Sequence, residues 1–212
     1  MESSPIVLYT KIIPPPRNVR TLPRPRVNQI LRQSLNYRLT ILQAGAGYGK
    51  STALAELSRD VHAVVWYQVN QEDNDPLVFL SHLCHAFLHA HPQMEDLPIQ
   101  FLETWSGAQG PLPWRLVVDQ VINTLNFSLV EPTLLVVDDA NLLTESGEVA
   151  HILDRLIGFA PGNLHVLLAG RPSISLPTIA RWRSQGEVLL LDQSVLTFNY
   201  DEIDDFLFRI GL

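Results

Sequence analysis

Residues 44–52 read Ala-Gly-Ala-Gly-Tyr-Gly-Lys-Ser-Thr, and these types at this spacing suit a polyphosphate. Gly45, Gly47 and Gly49 allow a backbone turn that aims several N–H groups at one anion. Ala44 takes the place where a glycine usually opens the pattern, and Ala46 and Tyr48 complete the loop. Lys50 offers a mobile positive charge for β- and γ-phosphates, and the Ser51 hydroxyl, with Thr52 behind it, suits Mg²⁺. The alternative is an ordinary glycine-rich turn between a strand and a helix. The apolar run before the loop, the helical segment after it and Gly-Lys-Ser in register favour the phosphate loop. Lysine usage sharpens the reading. Only Lys11 and Lys50 are lysines among fifteen basic residues, so a lysine at the phosphate position stands out where arginine is the default cation.

A second group of polar residues closes the apolar run Thr133 to Val137, in Asp138 and Asp139. An acid at the carboxyl edge of a buried strand lies where ligands of open α/β folds bind. Asp138 could hold Mg²⁺ through water and Asp139 could orient the attacking water. Alternatively, both are turn aspartates that cap the next segment. Arg171 ends another apolar run, Leu164 to Leu168, followed by Ala169-Gly170. It could touch a terminal phosphate, or be a surface arginine at a strand end.

The elements that must position these residues alternate in character. Strands are expected at Leu39–Leu42, Ala63–Tyr67, Leu134–Val137, Leu164–Leu168 and Val188–Leu191. Helices are expected at Val27–Asn36 and Ser51–Arg59, from an N-cap at Asp75 to Ala90, and from Pro113 to Phe127. Two more are expected at Glu148–Phe159 and from an Asn199/Glu202 capping box to Gly211. Continuous apolar strands separated by helices imply a mainly parallel sheet of about five strands with helices on both faces, an α/β three-layer sandwich. Six prolines in the first 25 residues imply an extended arm. The chain thus divides into a proline-rich, basic arm with a short helix (1–37) and a P-loop core (38–212).

Composition sets bounds. Of 212 residues, 46% are hydrophobic and mean hydropathy is +0.10, which excludes a disordered chain. Net charge is −7, yet seven of the fifteen basic residues and one of the 22 acids precede residue 41. An acidic body argues against a broad nucleic-acid surface, and the basic arm is expected to meet nucleotide phosphate or the body's own acids. One cysteine, Cys84, excludes an internal disulfide and fits a reducing cytoplasm. No segment reads as a signal peptide or a membrane span. His82, His85 and His89 share one helix face. They read as a polar stripe facing water in preference to a metal site, since no acidic ligand stands at a matching position. The four tryptophans read as packing residues.

The chain resembles the nucleotide-binding domain of the signal-transduction ATPases with numerous domains (STAND), in the branch of large ATP-binding LuxR-type regulators. The resemblance rests on Thr10-Lys11 with the prolines after it, Leu22 to Val27, Ala44 to Thr52 and Val65-Trp66-Tyr67. It continues through Glu72 to Pro76 with Phe79-Leu80, Leu134 to Asp139, Leu164 to Arg171, and Leu196-Thr197-Phe198 before Asp201-Glu202. It implies that the Arg171 strand lies between the P-loop strand and the Asp138 strand, which sets Arg171 beside a γ-phosphate. It implies Leu22, Arg24 and Arg26 as contacts to adenine or phosphate, and Asp73-Asn74-Asp75 near the site. Alanine at position 44 is frequent in this branch, whereas Ala169-Gly170 replaces more polar residues. The implied function is an ATP-binding, slowly hydrolysing regulatory switch that uses ATP/ADP and Mg²⁺. A P-loop enzyme or motor built for turnover, or a non-hydrolysing nucleotide module, are the alternatives. Implied partners are C-terminal regulatory and DNA-binding modules of a longer chain. The isolated domain is expected to be monomeric, with ATP-dependent self-association in the full protein.

Overall fold

A computed structural model describes residues 6–16, 21–106, 110–143, 147–172 and 174–209. The strands are β1 (Leu39–Gln43), β2 (Val64–Gln68), β3 (Thr133–Asp138), β4 (Leu164–Gly170) and β5 (Val188–Leu191). The helices are α1 (Tyr9–Ile12), α2 (Pro25–Leu31), α3 (Lys50–Asp60), α4 (Pro76–Ala90), α5 (Ile99–Thr104), α6 (Trp114–Ser128), α7 (Gly147–Phe159), α8 (Ile179–Ser184), α9 (Gln193–Leu196) and α10 (Tyr200–Arg209). The sheet runs in the order β2-β3-β4-β1-β5, and all four pairings are parallel. β4 therefore lies between β1 and β3, as the resemblance implies.

The interior strands are largely apolar because both of their faces are covered. Ile41, Tyr67, Val137 and Leu168 pack on one side with Phe79 and Phe87 of α4, Val121 of α6 and Ile152 of α7. Leu42, Trp66, Val136 and Leu167 alternate to the other side, against Val27 and Leu31 of α2 and Leu54 and Leu57 of α3. Alternation within continuous apolar runs is the mark of an interior strand, where consecutive side chains enter different layers.

The local signals act as their chemistry dictates. The Asp75 carboxylate accepts from the N–H groups of Leu77 (2.7 Å) and Val78 (3.1 Å) and caps α4. Pro25 stands at the first position of α2, where its missing donor costs nothing. The segment Val27–Asn36 is accordingly not one α-helix: α2 begins two residues early and passes into a 3₁₀ turn, Arg32–Asn36. Pro113 precedes α6 rather than opening it.

Two further expectations need correction. The arm is not extended throughout, since α1 forms within it and drives Lys11 into the protein. Its ammonium pairs with the fully buried Asp73 carboxylate. That carboxylate also accepts from the Tyr67 hydroxyl (2.7 Å) and the Asn70 N–H (2.6 Å). The histidine stripe does not face water as a whole. His82 is buried and stacks on Tyr67 at 5.8 Å, and its Nε2 accepts from the Leu8 N–H at 3.2 Å. Burial, above all, lowers the pKa of His82. Among the described residues no cluster of three or more His, Cys, Asp or Glu could hold a metal. Cys84 is buried, which pushes its thiol up to about 12. No helix among the described residues is long and apolar enough to cross a membrane.

Candidate functional site

The glycine loop leaves β1 at its carboxyl end. The Ala44 N–H still donates to the Gly170 carbonyl (3.1 Å), extending the β1–β4 pairing by one step. Gly47 (φ 81°) and Gly49 (φ 78°) then adopt the left-handed conformation that side chains disfavour. Gly49 is the N-cap of α3 and no side chain caps that end. The first N–H groups of an eleven-residue helix therefore open onto the loop, an arrangement that attracts anions. Lys50, the first residue of α3, is buried, and its ammonium donates to the carbonyls of Ala44 (2.8 Å) and Gly45 (2.9 Å). Ala44 is itself buried and contributes only its backbone.

A cleft of about 410 Å³ opens over this loop, bounded by Ala46, Gly47 and Gly49 and by the side chains of Lys50, Ser51 and Thr52. Asp139 and Arg171 complete its lining. Residues more than a hundred positions apart meet here because β1, β4 and β3 are neighbours whose carboxyl ends share one edge.

Asp138, the last residue of β3, is fully buried. Its Oδ1 accepts from the Asp139 N–H (3.0 Å), while its buried Oδ2 has no hydrogen-bond partner among the described residues. Burial raises its pKa, the Ser51 hydroxyl pulls it down, the Asp139 charge raises it further, and Lys50 opposes that. An orphaned carboxylate oxygen is expensive, and one beside a hydroxyl and an ammonium fits a cation ligand. Asp139 has φ 59°, the single non-glycine residue with positive φ among the described residues. Aspartate visits this region more readily than most residues, and in this turn its N–H folds back on Asp138.

The exposed Arg171 is anchored through its backbone, where its N–H donates to Asn141 Oδ1 at 2.9 Å. A side chain at Gly170 would stand 2.6 Å from that same oxygen. Only glycine leaves room for this bridge, which accounts for the glycine before Arg171. Asn141 lies in a 3₁₀ turn, Ala140–Leu142, and sequence reasoning passes over it. Its signal is a second short polar side chain two residues after Asp139.

A second pocket, of about 240 Å³, adjoins the loop at Gly47, Tyr48 and Gly49 and is lined further by Leu22, Arg24, Phe198 and Phe206. The Arg24 guanidinium lies 4.2 Å from the Phe198 ring and donates to the carbonyls of Leu196 (2.8 Å) and Thr197 (3.1 Å). It also pairs with Glu202 at 3.0 Å. Arg26 lines neither pocket; it donates to the Thr197 carbonyl (2.8 Å) and to Glu202 (3.1 Å). Both arginines, expected at adenine or phosphate, thus reach the start of α10, and only Leu22 and Arg24 face the pocket. Asp73, Asn74 and Asp75 line neither pocket: Asp73 holds Lys11 and Asp75 caps α4.

No family model matches the chain. It is 30% identical to the serine/threonine-protein kinase PknK of Mycobacterium tuberculosis over 84% of its own length and 16% of the relative's. It is 26% identical to the HTH-type transcriptional regulator MalT of Yersinia pestis over 95% of its length and 22% of the relative's. It therefore spans less than a quarter of these relatives. Among solved structures it is similar to the STAND protein PH0952 of Pyrococcus horikoshii, which carries a tetratricopeptide repeat sensor (TM-score 0.57, 16% identity, 93% of this chain and 26% of that one). It is also similar to the Walker-type ATPase PABY2304 of Pyrococcus abyssi (TM-score 0.53, 16% identity, 93% of this chain and 60% of that one). With a glycine loop leading into α3 and β4 inserted between β1 and β3, the chain has the α/β P-loop fold of these ATPases and is similar in sequence to domains of these long relatives.

Proposed function

We propose that the chain is a regulatory switch domain that binds Mg·ATP and hydrolyses it slowly. The observation that carries this reading is the meeting of the glycine loop, Asp139 and Arg171 around one cleft, with buried Asp138 behind it. In this reading the N–H groups from Gly45 to Thr52 cradle the phosphates. Lys50 exchanges its bonds to the Ala44 and Gly45 carbonyls for β- and γ-oxygens. Asp138 and Ser51 hold Mg²⁺, partly through water, and the ion supplies charge neutralisation to the phosphates. Asp139 orients the attacking water and Arg171 touches the γ-phosphate. Leu22 offers an apolar surface to the base, while Arg24 shapes that pocket from its place on Phe198.

The kinship to long regulators supports a domain within a larger cytoplasmic chain, where regulatory and DNA-binding modules would read the nucleotide state and ATP would promote self-association. Titration calorimetry with Mg·ATP tests the core of this reading. Lys50→Ala should abolish measurable binding while the far-ultraviolet circular dichroism stays that of the parent. Unchanged affinity would overturn the reading.

A further inference from the structure

The edge of the sheet opposite the glycine loop carries a separate cleft of about 580 Å³, within the ~300–1,000 Å³ common for small-ligand sites. Arg38 and Glu187, which line it, immediately precede β1 and β5, and Gly158 and Phe159 close α7 ahead of β4. The cleft is therefore at the amino ends of the strands, away from the phosphate loop. Buried Trp182 of α8 and half-buried Trp114 of α6 give it aromatic walls.

Its charge is unbalanced. Two of its four guanidiniums are tied down. Arg38 donates to Glu187 (2.7 Å) and to the carbonyls of Ile157 (2.9 Å) and Gly158 (3.2 Å). Arg155 grips Asp119 at 2.6 and 2.8 Å. The other two, Arg115 and Arg181, are exposed and meet no carboxylate among the described residues. Arg115 lies 5.2 Å from the Trp114 ring. The acids in the lining are also engaged: Glu187 by Arg38, and Asp154 by the Thr178 N–H and hydroxyl, both at 2.7 Å. In a chain of net charge −7, two unpaired guanidiniums beside two indoles form a local exception.

We propose that this cleft is a second ligand site, for a small organic anion that joins a planar ring to a phosphate, sulfonate or carboxylate group. The indole faces suit a planar ring, and the guanidinium forks of Arg115 and Arg181 suit a multi-oxygen anion. A cation would be repelled, and a neutral apolar ligand would leave both guanidiniums without a partner. A recessed indole and this volume favour a small molecule over an acidic segment of a protein.

The test uses 1-naphthyl phosphate as probe, followed by calorimetry and by tryptophan fluorescence. Saturable one-to-one binding is expected, weakened about tenfold or more by Arg115→Ala and by Arg181→Ala, as for the loss of a charged hydrogen bond. Both side chains are exposed, so the variants should keep the parent's melting temperature. Inorganic phosphate and 1-naphthol, each lacking half of the probe, should bind much more weakly. Lys50→Ala should bind the probe as the parent does, which separates this site from the phosphate loop. No saturable binding, equal affinity in the arginine variants, or loss in Lys50→Ala would overturn the proposal. So would tighter, Arg115- and Arg181-dependent binding of hexaglutamate, which would assign the cleft to an acidic protein partner.

Discussion

Arg171 is held by its backbone, and no side-chain partner meets its guanidinium among the described residues, the arrangement that the proposed phosphate contact needs. Its N–H is held by Asn141 across the glycine at 170, while its side chain lines the loop cleft. A bidentate contact to γ-oxygens that ADP lacks is worth about 1.5–3 kcal/mol. Arg171→Ala should therefore weaken a non-hydrolysable ATP analogue by roughly 10–100-fold and leave ADP nearly unchanged. Such differential affinity is what allows a nucleotide to shift a conformational equilibrium. Parallel titrations decide it: equal losses would give Arg171 a structural role, and no loss would remove it from the site. At this scale the sequence announces residues whose types are unusual for their setting. Lys50 is one of two lysines, and Asp138 interrupts an apolar run. Asn141 leaves only a faint trace, a short polar residue near Asp139, because its importance lies in a 2.9 Å bond to a residue 30 positions away.

One carboxylate of helix α10, that of Glu202, joins it to the arginines at the start of α2. Glu202 accepts from the Asn199 N–H (3.0 Å) while Asn199 Oδ1 accepts from the Glu202 N–H (2.8 Å), closing the capping box expected at these residues. The same carboxylate pairs with Arg24 and Arg26. Burial pushes its pKa upward, but Arg24, the Asn199 N–H and Arg26 outweigh that and hold it down at about 2, against an ordinary value of 4.5. A depressed carboxylate stabilises the fold above its unfolded pKa and loses that contribution as pH falls toward the folded one. Glu202→Gln keeps the capping geometry and removes the charge. The variant should melt below the parent at pH 7, and the gap should close between about pH 4.5 and 2. Thermal denaturation across that range checks it, and a gap independent of pH would show the ion pairs to be inert. Elements long enough to repeat a pattern were legible: the five strands and α3, α4, α6 and α7 arise within a few residues of their expected bounds. Helices α8 and α9, of six and four residues, present too few positions for a period to register. The His82 face misleads for a different reason, since helical spacing reports which residues share a side and not what α1 later lays across it.

At the scale of the whole chain, contacts between its amino-terminal segment and the core contribute to its stability. Lys11 reaches Asp73 across 62 positions, and with Asp73 fully buried removal of the ammonium leaves a carboxylate uncompensated. Loss of one partner of a buried ion pair costs about 3–5 kcal/mol. Lys11→Met should lower the unfolding free energy by that order in urea titrations, while a loss under about 1 kcal/mol would mean that solvent reaches the pair. Proline content hides this role, because six prolines read as an extended arm and only α1 places Lys11 inside. In the proposed function, hydrolysis is limited by what the cleft gathers from the folded chain. Arg171 is the one arginine in its lining among the described residues, and Arg24 and Arg26 are bound to Glu202. Phosphoryl transfer gains ~10³–10⁵ in rate from an added arginine finger. If Arg171 reads the γ-phosphate, no second guanidinium in this lining stabilises the transition state. The chain alone should thus release phosphate well below the ~1–10³ per second of ordinary enzymes. Because the chain is expected to be monomeric, turnover per molecule should also stay constant as protein concentration rises. A phosphate-release assay over a hundredfold dilution series measures both. A rate that climbs with concentration would show one copy lending an arginine to another, and a fast, concentration-independent rate would show that Arg171 suffices for catalysis.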